Sequence, residues 1–129
     1  MQITLDNPAG APQPFSPLYS QVARVAHADG SALLFVSGQI AAGATLAEQS
    51  RGVFETIAAL LAAHGATLAD VISIRTYLTD IAELPEYAAV RQRFLTGTPP
   101  TSMTFEVPRL FRPEARIEIE VVAAVPAGL

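Results

Sequence analysis

Glu118 stands in the run Arg116-Ile117-Glu118-Ile119-Glu120-Val121, where charged and apolar residues alternate. A period of two puts the acids on one face of a β-strand and the aliphatic residues on the other. A carboxylate set among Ile and Val is partly desolvated, which raises its pKa and suits it to exchange protons with water or an amine. The plainer reading of Glu118 is a structural ion pair with Arg116, Arg75 or an arginine of another subunit. A second group with chemical potential closes the strand Leu33-Leu34-Phe35-Val36-Ser37-Gly38-Gln39-Ile40. Its end sets a hydroxyl (Ser37), a bare stretch of backbone (Gly38) and an amide (Gln39) at one rim of a sheet, and Gly38 lets another group approach closely. Tyr19, after a proline-rich lead-in, offers its ring as a pocket wall and its hydroxyl as a donor. Taken alone, such a tyrosine more often serves packing.

Other chemistries are excluded by residue type or spacing. All 8 basic residues are arginine, so a lysine Schiff base is unavailable and with it pyridoxal-phosphate or aldolase-type covalent catalysis. There is no cysteine, hence no disulfide framework, thiol nucleophile or thiolate metal site. His27 and His64 lie far apart without a ligand spacing, so no metal is expected; His64 beside Gly65 suits the end of a helix. No Gly-x-Ser-x-Gly elbow and no phosphate-cradling glycine loop are present. The net charge is −4 and the arginines are scattered, which argues against nucleic acid. No apolar run reaches membrane-span length, and Met1–Asp6 lacks the features of a signal peptide, so a cytoplasmic protein without membrane attachment is expected. No cofactor is implied.

These residues need a scaffold, and 129 residues, half of them apolar, suffice for one domain with its own core. Strands are predicted over 2–5, 22–27 and 32–39, the latter two joined by the hairpin signal Ala28-Asp29-Gly30-Ser31. Thr45 opens a helix with Glu48 as its capping-box partner and Gly65 as its stop. Leu46, Val53, Ile57, Leu60 and Leu61 form its apolar stripe, with Phe54 at the flank. A strand over 71–78 follows, then a helix over 84–95 with Tyr87, Val90 and Phe94 buried, then strands over 102–107 and 115–125. The order β-β-β-α-β-α-β-β predicts an α+β fold, a single mixed six-stranded sheet with both helices on one face. The alternations Ser102-Met103-Thr104-Phe105-Glu106 and Ser73-Ile74-Arg75-Thr76-Tyr77 are expected to give the helix-free face a mixed polar surface suited to packing on another subunit.

The segments Pro17-Leu18-Tyr19-Ser20-Gln21, Leu33–Ile40 and Pro99–Leu110, in that order and spacing, resemble the RidA/YjgF family of small trimeric proteins, many of which hydrolyse reactive enamines and imines. The resemblance spans about residues 14–124. It implies a homotrimer with helices outside and ligand clefts between subunits. It also implies that Glu118 faces a small-molecule ligand, with Tyr19, Ser37 and Gly38 lining the cleft. A one-residue difference in the loop Phe111-Arg112-Pro113-Glu114 leaves Glu120 as the alternative to Glu118. At Ser102 the chain departs from the pattern: the family's deaminases carry there an arginine that grips a substrate carboxylate. Thr104 stands where relatives often have cysteine. A serine hydroxyl in place of a guanidinium would weaken carboxylate binding tens to hundreds of times, so activity on 2-iminobutyrate-type substrates is expected to be weak or absent. Of the other arginines, Arg109 and Arg112 lie at a strand end, which leaves Arg75, on the polar face of the neighbouring strand, as the stand-in. The alternative to an imine-hydrolysing enzyme is a non-catalytic trimer of the same fold that binds a ligand or a partner.

Overall fold

The computed structural model describes residues 1–128. Six strands form one mixed sheet: β1 (Gln2–Asp6), β2 (Val22–Ala26), β3 (Ala32–Gln39), β4 (Val71–Leu78), β5 (Thr101–Glu106) and β6 (Ile117–Val125), with α1 (Leu46–Ala62) after β3 and α2 (Leu84–Phe94) after β4. The spatial order is β1-β2-β3-β6-β4-β5, antiparallel throughout except for the parallel pair β4/β5. The β2–β3 hairpin closes as its residues demand. Gly30 takes a positive φ of 88°, and the Asp29 carboxylate accepts from the Ser31 backbone and hydroxyl at 2.9 and 2.6 Å.

Helix α1 begins where the Thr45 hydroxyl accepts from the Glu48 amide at 3.1 Å. The reciprocal bond of a capping box goes one residue further out, because the Glu48 carboxylate accepts from the Ala44 amide. After the last turn Gly65, at φ 75°, reverses the chain. The stripe Leu46, Val53, Ile57, Leu60 and Leu61 is buried, and so is Phe54, which stacks between Tyr87 and Phe94 of α2. Facing them are Leu34, Val36, Ile74, Leu78, Ile117 and Ile119 from the sheet. Each such aliphatic side chain, taken fully from water, contributes on the order of 2 kcal/mol. Both helices lie on one face of the sheet, as expected.

The other face differs from its sequence-based description. The parallel register pairs Ile74 with Ser102 and Thr76 with Thr104, and neighbours in register point the same way. Ile74 and Thr76 are buried beneath the helices. Ser102, Thr104 and Thr76 therefore belong to the helix side, and Met103 and Phe105 join Arg75 and Tyr77 on the free face. That face also holds Leu5, Phe35, Glu118 and Glu120, and is more apolar than expected: Leu5, Phe35, Met103 and Phe105 are all at least 42% exposed.

Candidate functional site

At one rim of the sheet β3 and β6 part company. Val36 pairs with Val121 and Gln39 with Ile119, so Ser37 and Gly38 together oppose Glu120 alone. This bulge turns the end of β3 aside and opens room next to Glu118. Its geometry is held by a polar relay. The Gln39 amide donates to the Gln21 side-chain oxygen at 2.7 Å, the Gln21 amide donates to the Pro12 carbonyl at 3.0 Å, and the Ser37 hydroxyl donates to the Ser20 carbonyl at 2.6 Å. Gln21 and Gln39 are buried, and each amide finds a partner, which a buried polar group requires. The relay ties the lead-in 12–21 onto the sheet. Tyr19 is fixed in turn, its hydroxyl oxygen accepting from the Phe15 amide at 3.0 Å.

The result is a cavity of about 840 Å³ that brings together Tyr19, Ser37, Gly38 and Glu118. Glu118 is half-buried, and the loss of water raises its pKa above the ordinary 4.5, with the nearby charge of Glu120 adding to the shift. Among the described residues it forms no ion pair. Arg116 pairs with Glu83, and Arg75 lies 3.6 Å from Glu120. The two arginines offered as structural partners of Glu118 are thus engaged with other acids. The two glutamates are placed differently. Glu120 is held on the sheet face by Arg75 and by the Tyr77 hydroxyl, which donates to it at 3.1 Å, while Glu118 lines the cavity.

Three residues named from the sequence lie elsewhere. Ser102 and Thr104 are on the helix side of β5, and the Ser102 hydroxyl accepts from Arg91 Nη1 of α2 at 3.0 Å. Arg75 faces a small depression with Phe35, Ser73 and Glu120, outside the Glu118 cavity. Two groups escaped the sequence reading. Phe15, Phe111 and Arg112 form a wall of the cavity, with the Arg112 guanidinium 4.8 Å from the centre of the Phe15 ring. The aromatic pair and arginine on two separate loops left no periodic mark. Arg91 had a visible signal, its position four residues after Tyr87 on the same helix face. His64 serves structure: it binds Asp6 at 3.0 Å and its carbonyl accepts from Arg24. Among the described residues no cluster of three or more His, Asp or Glu gathers as a metal would need, and no helix is long and apolar enough to cross a membrane.

A two-layer α+β domain with a half-buried, unpaired carboxylate in a cleft at the rim of its sheet is the class that fold and site define. The Endoribonuclease L-PSP family matches residues 10–125, and the chain belongs to this family, the RidA/YjgF proteins. It is 37% identical over 121 residues to a RutC family protein of Saccharolobus solfataricus, covering 88% of this chain and 90% of that one. It is 28% identical over 123 residues to a protein of Dermatophagoides farinae named 2-iminobutanoate/2-iminopropanoate deaminase, covering 89% and 91%. Among solved structures it is similar to a YjgF/YER057c/UK114 family member from Mycobacterium tuberculosis, at 31% identity and a TM-score of 0.83 over 96% of this chain and 100% of that one.

Proposed function

We propose that the protein is a homotrimer that hydrolyses a small enamine or imine in clefts between its subunits, with Glu118 as the general base. The observation that carries this reading is the Glu118 carboxylate itself, half-buried, without an ion-pair partner among the described residues, and lining a cavity that Tyr19 and Ser37 also line. Glu118 takes a proton from water as the water oxygen bonds to the C=N carbon. That proton passes to the nitrogen to give a carbinolamine. Glu118 then takes the carbinolamine hydroxyl proton and delivers it to the nitrogen as the C–N bond breaks, so that ammonia leaves and a carbonyl remains. Tyr19 and Ser37 orient the water and the nitrogen through hydrogen bonds. The deaminase name carried by the Dermatophagoides farinae relative supports the reaction class. Association is supported by the exposed Leu5, Phe35, Met103 and Phe105 on the helix-free face, which water penalises in a lone subunit.

The test generates the imine with an amino-acid oxidase and follows its decay as ammonia release, with light scattering on the same sample. A trimer that accelerates decay supports the reading. An unchanged decay rate for imines both with and without a carboxylate would leave the cleft a binding site only.

A further inference from the structure

The groove between α2 and β5, on the opposite side of the sheet from Arg75, contains one cation without a counter-charge. Arg91 Nη1 donates to the Ser102 hydroxyl at 3.0 Å and to the Tyr87 hydroxyl at 3.2 Å. Tyr87 is buried, and its hydroxyl shares a 2.7 Å bond with Thr76 beneath it, so the guanidinium is fixed to the core by one corner. Nη2 and Nε have no partner among the described residues, and no carboxylate of those residues lies within ion-pair distance of Arg91. No acid among the described residues lines the groove, and those at the start of α2 and the end of β5 have partners of their own: Glu83 with Arg116, Glu86 with the Ala47 amide, Glu106 with the Ile81 amide. Beside the guanidinium lies a groove of about 320 Å³ whose walls are apolar at Leu84, Ala88, Leu95 and Pro100, with the Thr104 hydroxyl as a further polar group.

We infer that Arg91, held by Ser102 and Tyr87, is the anion anchor of this groove and that it takes the carboxylate of a small organic acid. A guanidinium secured at one corner keeps a free N–H edge, the geometry that meets two carboxylate oxygens at once. The groove supplies one positive charge, which neutralises a monoanion. A phosphate dianion would keep excess negative charge in a chain already at −4. The serine at 102 acquires a role here, since its short hydroxyl leaves space for a guanidinium delivered from α2. Identifying the bound acid group as part of the imine substrate rests on the function proposed above. Carboxylate binding at Arg91 does not.

The experiment titrates the full-length protein with pyruvate by calorimetry, beside the imine assay, using wild type, Arg91→Gln, Ser102→Asp and Arg75→Gln. Wild type binds. Arg91→Gln loses about ten- to a hundredfold in affinity, the scale of a charge-assisted pair. Ser102→Asp loses a similar amount with Arg91 intact, because the new carboxylate occupies the guanidinium, so a folding defect of the first variant does not obscure the result. Arg75→Gln binds as wild type. Absence of pyruvate binding in wild type, equal affinity in Arg91→Gln and Ser102→Asp, or inorganic phosphate binding as tightly through Arg91 would each overturn the assignment. Imine turnover with pyruvate affinity indifferent to Arg91 removes this anchor and leaves the proposed hydrolase standing. Arg91-dependent binding without turnover does the reverse.

Discussion

The side chain of Glu118 lies against the backbone of Gly38, so closely that a methyl group on Gly38 would fall 2.8 Å from Glu118 Cδ and nearer still to Oε2. Gly38 has an ordinary negative φ region open to any residue, so its need for hydrogen is steric and local. Gly38→Ala is expected to fold with stability within about 1 kcal/mol of wild type. It displaces the carboxylate, and turnover falls on the order of a hundredfold, the cost of misplacing a reacting group by about an ångström. Thermal melts and imine decay measured together check this.

The raised pKa of Glu118 has a consequence for stability. A carboxyl whose folded pKa exceeds its unfolded value holds more protons in the native state between the two values, so stability falls as pH rises through that window. Glu118→Gln removes the burden. Its stability relative to wild type is expected to increase as pH rises from 4.5 toward neutrality and to be level in more acidic solution. Denaturant midpoints across pH, with the mass checked at each point, give the comparison.

Association through the helix-free face can be broken from its centre. Phe35 lies on β3, is 44% exposed and shares its depression with Arg75 and Glu120. Phe35→Glu adds a second acid beside Glu120 and leaves the helix-side core untouched. Wild type is expected at three times the 13.6 kDa subunit mass, and the variant at one. A wild-type monomer at micromolar concentration would contradict the trimer.

The fold was legible wherever periodicity and punctuation agree. Strand β3 runs over 32–39, as its compact apolar run and polar end predict, β4 over the predicted 71–78, and the stripe of α1 is the buried one. What could not be read is the phase of an edge strand. Ser102-Met103-Thr104-Phe105 alternates equally well in either orientation, and α2 decides it by covering the Ser102 side and supplying Arg91. The cleft was partly legible. Tyr19, Ser37, Gly38 and Glu118 share one cavity, whereas the distinction between Glu118 and Glu120 depends on the bulge at Ser37–Gly38, a register shift that strand alternation does not encode. The engagement of Arg75 with Glu120 across two strands was equally invisible, because strand order has no local signature.

Glu118→Gln tests the central claim most directly, since it keeps the shape of the side chain and removes its capacity to take a proton. Ammonia release from imines with and without a carboxylate is measured for wild type and variant, both confirmed to have the same mass and fold. Wild type should accelerate decay, and the variant should be slower by roughly a hundredfold or more, the usual contribution of a positioned general base. Equal turnover by the two proteins would take Glu118 out of the reaction and contradict the account.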